Sequence, residues 1–537
     1  MFDLTRWLAP LRWGLLAIAG IVLVVHACAY DFVTDDAYIS FVFSRNLAEH
    51  GQLAFNLGQP VEGYTNFLWT VILAGGMLVG ISPEWSSRVL GVACALGTLW
   101  FTFQVVERAL DRRTPWSAAP SVLLALSSGF ACWSSGGLET QLFTLLVVIA
   151  LDGLVANRLT RTCVALALAA MTRPEGPLVA AVFGTVYAAP ILYRWVRKRP
   201  AGGDRREEVI ALACFFALWA PWFAWRTWYY GYPFPNTYYV KASGAWASPG
   251  MAHEMWSNGL YYLWVWINQT KLIYALPLAV LGLATAKPGT PRFTLAMACA
   301  LLAIVYLPYT VTVGGDFMGL HRFIMPMFVV AAIAVVLGLE WLAQRFALAA
   351  IGAGVALVAG FAITQVALTR ESLRFGNFAN DHGIDTPAFL IVYTEDRAAI
   401  GRAMESCFRA DDFSIVGGAG AQPYFGRMRG IDVFGLVSER IAHEEPRSRA
   451  RAGHTKWGND RLLADYDPTF VFSCYRIHQG TPWWRFPKTT PLGCAGFWLA
   501  KGYEQITMHI PGMREQGEYY TFLAKKARDF QCPGRVY

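Results

Sequence analysis

Thr65 to Ile81 reads TNFLWTVILAGGMLVGI, and whether this apolar run crosses a membrane decides how the whole chain is threaded. Comparable runs lie at Trp13–Tyr30 and at 86–106, 116–133, 138–156, 162–172, 177–193, 208–228, 271–287, 292–313, 322–340 and 346–366. If all of them cross, the basic loop ERALDRR (107–113) falls on the same side as Asp31, Asp35 and Asp36 of DFVTDDAYISF (31–41). Short loops rich in Lys and Arg stay in the cytoplasm, which argues against that threading. If Thr65–Ile81 instead dips into the membrane surface and the second span starts near Arg88, every later loop falls into place. One side then carries Arg6 and Arg12; Arg108, Arg112 and Arg113; Arg158 and Arg161; Arg194, Arg197, Lys198, Arg199, Arg205 and Arg206; Lys287 and Arg292; and Arg345. This predicts about eleven spans, the N-terminus in the cytoplasm and the tail outside. The shortest predicted span is 162–172.

Composition agrees. Of 537 residues, 55% are hydrophobic and 15% charged, too apolar a balance for a soluble protein. The first run has no clear small-residue cleavage site and reads as an uncleaved span. The net charge of +8 is spread over short loops, so topology explains it better than nucleic acid does. Cys28, Cys94, Cys132, Cys163, Cys214 and Cys299 lie in or beside apolar runs, as small hydrophobes would.

The polar stretches DFVTDDAY (31–38), SSGGLET (134–140), TRPEGP (172–177), YGYPFPNTYYVK (230–241) and VGGDFMGLHR (313–322) share the exterior face with the tail. That tail, 371–537, changes character. DTPAF, VGGAGAQPYFG and PWWRFP punctuate short β-prone pieces such as FLIVYT and TFVFSCY, which reads as a separate exterior α/β domain after a membrane module of 1–370 whose first exterior loop is 31–85. Its Cys407, Cys474, Cys494 and Cys532 allow three pairings, and an oxidising exterior permits two disulfides. Among the tail and loops, Asp35 and Asp36 carry the first chemical signal. Adjacent carboxylates raise each other's pKa and attract positive charge, so the pair suits a general base or the holding of a divalent cation; a solvated helix end is the alternative.

DDAYISF with SRNLAEHGQLAFN (44–56) and QPVEGYTNFLW (59–69) resembles the first exterior loop of the GT-C superfamily of polyprenyl-phosphate-dependent glycosyltransferases, and among them the mycobacterial terminal arabinofuranosyltransferase family. SGGLET, TRPEG, PFPNTYYVK, GGDFMGLHRF, IDVFGLVSERIAH (431–443) and AGHTKW (452–457) extend the resemblance over nearly the whole chain. It implies a polytopic α-helical membrane protein of GT-C type, a catalytic acid of the first loop at Asp35 or Asp36, and a loop whose second half lies on the membrane. The implied donor is a sugar on a polyprenyl phosphate, and phosphate needs cations or backbone N–H groups. Lys241, Arg173 and Arg322 are the candidates, against snorkelling for Lys241, pairing with Glu175 for Arg173 and anchoring of a span for Arg322. Asp316 and Glu139 each follow Gly-Gly and suit sugar hydroxyls or a cation, or simply a helix N-terminus. Glu175, Asn236 and Tyr238 offer further sugar contacts, and His443 and His454 would reach a sugar or metal if the tail folds over the cavity.

No Walker A sequence, Gly-x-Gly-x-x-Gly, HExxH or CxxC pair is present. Asp465-Tyr-Asp467 imitates the Asp-x-Asp of nucleotide-sugar transferases, but on an exterior tail, where nucleotide sugars are scarce. The expectation is therefore a transferase of the bacterial cytoplasmic membrane that moves a pentose, arabinofuranose by resemblance, from polyprenyl monophosphate to a glycan or protein hydroxyl outside. The motifs identify no certain cofactor and leave a divalent cation open, and the expected partners are the polyprenyl-phosphate donor, the glycan or protein acceptor and the bilayer, not nucleic acid. Mannose or aminoarabinose on the same carrier would leave the same motifs explicable. A lipid-sugar flippase is the rival, although transporters place ionisable groups near the midplane and these spans carry almost none.

Overall fold

Each of the eleven expected runs becomes helix, and local chemistry sets several of their ends. Pro83 and Pro291 open helices Pro83–Leu110 and Pro291–Thr312, where a missing N–H costs nothing, and the Ser82 and Thr290 hydroxyls accept from Trp85 N and Phe293 N. The computed structural model describes residues 10–196, 205–241, 249–376, 384–448, 450–480, 485–486 and 494–536. Arg6, Arg197, Lys198, Arg199 and most of PWWRFP lie outside the described residues.

Among the described residues, seven helices are long and apolar enough to cross a membrane, or up to nine if each bent pair forms one span. The expected count of eleven included shorter runs. Leu159–Thr172, the weakest expected span, is a 14-residue helix, and 116–133 divides at Ser127 into Ala119–Leu126 and Ser128–Ser135. Ser128–Ser135 then meets Thr140–Val155 at 116°, across the glycines of SSGGLET.

The run that decides the threading forms a 12-residue helix, Phe67–Leu78. At 1.5 Å per residue it reaches about 18 Å, well short of a ~30 Å hydrocarbon core. One long helix was not foreseen: Pro249–Gln269, which turns by 91° into Leu272–Ala284. His253, Glu254, Asn258 and Asn268 interrupt its apolar pattern and hid it from a hydropathy reading.

The ends of the bundle differ in chemistry. At one end, Arg108 (2.9 Å) and Arg161 meet the buried Asp152, Arg112 and Arg292 meet the buried Glu340, and Arg12 meets Glu107 at 2.9 Å. Burying either carboxylate without its arginines would cost several kcal/mol, so these pairs fix the loop ends. The polar stretches gather at the other end.

The tail holds a six-stranded sheet in the order β2-β1-β3-β5-β4-β6, from β1 (Ser414–Val416), β2 (Gly430–Asp432), β3 (Phe470–His478), β4 (Tyr503–His509), β5 (Tyr519–Lys525) and β6 (Arg535–Val536). β1 runs parallel to β2 and β3, and the remaining pairs are antiparallel. TFVFSCY forms β3 as expected. FLIVYT does not form a strand: it lies inside helix Pro387–Met404, started by Pro387 with the Thr386 hydroxyl accepting from Phe389 N. Burial of Leu390, Val392, Ala398 and Ile400 outweighs the β-propensity of its branched residues. Cys407 pairs with Cys532 and Cys474 with Cys494, one of the three pairings that sequence leaves open.

Candidate active site

The helix Asp35–His50 starts where the first span ends, and its first turn carries both acids. Successive helical residues point about 100° apart, so the two carboxylates have different surroundings. Asp35 turns to the tail: its Oδ1 accepts from Ala421 N at 2.8 Å. Gly420 makes that approach possible, because a Cβ there would fall 2.4 Å from the Asp35 carboxyl carbon. Asp36 turns instead into a cavity of about 400 Å³.

Most of the expected residues converge on this cavity. Asp36, Glu139, Arg173, Glu175, Tyr238, Lys241, Asp316 and Arg322 all line it, and Leu436 and Gly453 of the tail close its rim. Its floor is one hydrogen-bonded chain. The Ser40 hydroxyl donates to Asn66 Oδ1 (3.0 Å), Asn66 Nδ2 to Glu139 Oε2 (2.8 Å), and Arg173 to Glu139 Oε1 (2.9 Å) and Glu175 Oε2 (3.0 Å). Asn66 is also the residue before the short helix Phe67–Leu78, so the same chain ties that helix to the membrane spans.

On the opposite wall, Gly314 and Gly315 adopt φ of +81° and +73°, and a Cβ at Gly315 would meet the Tyr262 side chain at 2.6 Å. Only glycine fits there. The turn it permits delivers Asp316 Oδ2 to Arg322 Nε at 2.7 Å, while the next-nearest carboxylate, Asp36, stands 3.7 Å from Arg322.

These pairings sort the three phosphate candidates. Arg173 is engaged by two carboxylates and Arg322 by Asp316. Lys241 makes no ion pair or hydrogen bond among the described residues, and its charge is felt by Asp36 and Asp316 across the cavity. Burial lowers the Lys241 pKa against those attractions. Burial likewise raises the Asp36 carboxyl above its ordinary value, against the pull of Arg322 and Lys241. Asp35 is pushed up to about 6, again by burial, with the Ala421 N–H working the other way. The cavity thus holds one uncommitted cation facing one carboxylate that carries only a long ion pair.

Three expected sugar contacts lie outside the cavity lining, and a fourth lines it but is already engaged. Asn236 spends its amide on the carbonyls of Gly435 (2.8 Å) and Leu436 (3.0 Å), latching PFPNTYY to the tail. His443 stacks on Tyr232 at 4.5 Å and leans on Tyr239, outside the cavity. His454 is wedged between Phe317 and Phe434, and burial lowers its pKa to about 3, so it is neutral packing beside the rim. Glu175 lines the cavity but is committed to Arg173. As for a cation, no group of three His, Cys, Asp or Glu side chains among the described residues is placed to hold a metal ion, and Asp35 and Asp36 do not share a focus.

Sequence reasoning missed Ser40, Thr65, Asn66 and Tyr309 on the cavity wall, and it missed a buried pair behind it. Glu62 Oε1 and Oε2 accept from Arg226 Nε (2.8 Å) and Nη2 (2.6 Å), Arg226 Nη1 donates to Pro233 O, and Asn236 N donates to Glu62 O. The pair sets where the segment carrying Lys241 leaves helix Arg205–Tyr230.

The crystal structure of ArnT from Cupriavidus metallidurans bound to undecaprenyl phosphate superposes on this chain with a TM-score of 0.54 at 11% identity, covering 96% of this chain and 98% of that one. The chain has the ArnT fold. The apo ArnT structure gives the same TM-score and coverage at 13% identity. Arabinosyltransferase EmbB from Mycobacterium smegmatis aligns over 60% of this chain and 30% of its own, with a TM-score of 0.32 at 18% identity. No protein-family model matches the chain, and no curated protein matches it. The candidate membrane spans and the sheet of the tail bear out the expected architecture, a polytopic helical membrane protein with an appended α/β domain.

Proposed function

We propose that this protein is a membrane glycosyltransferase that moves a pentose, arabinofuranose, from polyprenyl monophosphate to a hydroxyl of a cell-envelope glycan or surface protein. The observation that carries the proposal is the cavity shared by Asp36 and a Lys241 that has no ion pair or hydrogen bond among the described residues. In the reaction, the acceptor oxygen attacks the anomeric carbon, its proton passes to Asp36, and the bond from that carbon to the phosphate oxygen breaks. The leaving polyprenyl phosphate carries its charge to Lys241, with Arg322 beside it. Arg173, held by Glu139 and Glu175, orders the floor on which the sugar rests, and Tyr238 and Asp316 offer hydroxyl partners. The undecaprenyl phosphate in the ArnT structure supports the choice of carrier.

The active site is assigned to the exterior face of the bacterial cytoplasmic membrane, with the N-terminus inside. Two disulfides in the tail and the arginine-rich opposite end support that orientation.

The test is transfer of labelled sugar from synthetic polyprenyl-phosphoryl arabinofuranose in proteoliposomes, beside mannosyl and aminoarabinosyl carriers. Consumption of the arabinosyl carrier, lost in Asp36→Asn, supports the proposal. Consumption of another carrier moves the donor and keeps the chemistry. If no carrier is consumed while labelled lipid changes leaflet, the protein is a flippase.

A further inference from the structure

A second cavity, of about 390 Å³, lies within the helical bundle and shares no lining residue with the active-site cavity. It sits at the break where helix Pro249–Gln269 turns by 91° into Leu272–Ala284. Helices Ala119–Leu126, Met325–Ala343 and Ala347–Ser372 supply the other walls. Its size is that of small-molecule sites between the helices of a bundle, and Leu123, Trp266, Phe328, Val335, Leu357 and Phe361 make its walls largely hydrocarbon. The cavity opens on the flank of the bundle: Tyr274 is 81% exposed there, Gly360 is exposed, and only 11% of the most apolar stretch of helix Ala347–Ser372 is buried inside the protein. In a bilayer that flank meets lipid, and a void beside it would forfeit the dispersion contacts of its lining.

One charge stands at this apolar opening. Lys271, at the break itself, lines the cavity and is exposed, and its ammonium makes no ion pair or hydrogen bond among the described residues. Its backbone holds φ 55° and ψ 20°, a left-handed conformation uncommon for a residue with a long side chain. The break that imposes this conformation is anchored at Gln269, whose carbonyl accepts from Gln365 Nε2 at 2.8 Å and whose Oε1 lies 2.9 Å from His321 Nε2. Gln365 stands seven residues before the end of helix Ala347–Ser372, about 10 Å along its axis. In the proposed orientation the lysine therefore sits just beneath the exterior surface, where lipid headgroups give way to chains. A lysine that only snorkelled to the interface would need no cavity under it.

We infer that this cavity binds an anionic phospholipid of the surrounding membrane, its phosphate on Lys271 and one acyl chain inside. A ligand that meets both features carries negative charge at one end and hydrocarbon at the other, and a lysine is a point charge suited to phosphate. The polyprenyl donor is not the occupant, because the proposed reaction places its phosphate on Lys241 in the other cavity. The inference goes beyond the glycosyl-transfer reading and does not depend on it. A lipid seated there braces the break from which Gln269 reaches His321, the residue before Arg322 of the active-site cavity.

Two variants test the two halves of the site. Lys271→Gln removes the charge. Gly360→Phe fills the cavity, since Gly360 lines it and a Cβ there meets nothing within 4 Å; replacing a glycine inside a helix also favours the helix. The full-length wild type and both variants are reconstituted in nanodiscs of equal parts phosphatidylglycerol and phosphatidylcholine, released, and weighed by native mass spectrometry. The wild type should retain one phosphatidylglycerol in preference to phosphatidylcholine. That preference should fall about fivefold in Lys271→Gln, the loss of one lysine's attraction for an anionic headgroup, and Gly360→Phe should retain one lipid fewer. Equal retention of the two lipids by the wild type, an unchanged preference in Lys271→Gln, or undiminished retention in Gly360→Phe overturns the site. Added undecaprenyl phosphate should leave the phosphatidylglycerol in place; one-for-one displacement assigns the cavity to the donor and overturns the inference. None of these readings requires sugar transfer, so failure here is distinct from failure of the proposed function.

Discussion

Asp36 and Asp35 are neighbours in sequence with divided duties, and the division predicts how each responds to substitution. Asp36→Asn should lower transfer by about 10²–10⁴-fold, the usual contribution of a positioned base, while donor affinity measured by equilibrium binding stays near wild type. Lys241→Gln should weaken donor binding as well as turnover. In the proposed mechanism the base works ionised and the lysine works protonated. Activity should therefore rise with pH through a midpoint above the ordinary carboxylate range and fall again below the ordinary lysine range, with Lys241→Arg moving the alkaline limb upward. Asp35 should show itself in stability instead. Its carboxyl is raised to about 6 in the fold, so the stability linked to it is full below the unfolded value of about 4 and lost as pH rises through about 6. Thermal midpoints measured from pH 4.5 to 7.5 should fall less steeply in Asp35→Asn than in wild type. At this scale the sequence showed which residues meet: Asp36, Lys241, Asp316 and Arg322 stood in quoted motifs. It offered Glu175 as a partner for Arg173, but it could not show that Glu139 takes the same guanidinium or that Asp35 reaches Ala421, because those partners are far apart in the chain.

Among the elements, the least legible was the turn that carries Lys241. Glu62 lay within a recognised motif, but Arg226 sat inside an apolar run and read as part of a span. Breaking a buried pair leaves an uncompensated charge, so Glu62→Leu should cost about 3–5 kcal/mol, and Glu62→Leu with Arg226→Leu should recover most of it. Melting of the detergent-solubilised protein, followed by the loss of donor binding, reads both effects. The short helix Phe67–Leu78 was legible from charge alone, since the basic loop at 107–113 demanded it. Helix Pro387–Met404 was not, because FLIVYT has the branched and aromatic residues of a strand and only its tertiary burial makes it helical.

Taken whole, the molecule has its polar cavity at one end and the arginine-rich loops at the other, and the hydropathy and charge pattern of the chain announced that polarity. The orientation is checked by impermeant maleimide on single cysteines placed in a background without the six free ones. Val79→Cys, 73% exposed, should label in intact cells, and Arg113→Cys only after permeabilisation. The two disulfides join residues 125 and 20 apart in sequence, and loss of either should lower tail stability by about 2–5 kcal/mol, read by urea unfolding under reducing and non-reducing conditions.

The strand order β2-β1-β3-β5-β4-β6 carries a consequence for biogenesis. β1, which leads into the loop on Asp35, is flanked by β3, and β3 in turn needs β5. The roof over the cavity therefore cannot close until residues near 525 have been made and, in the proposed orientation, exported. A newly made chain should stay protease-sensitive and inert through most of its synthesis, then become resistant in one late step. In a pulse-chase experiment, Cys532→Ser should delay that step. On the glycosyl-transfer reading, no half-built enzyme would then consume lipid-linked sugar before its roof is in place.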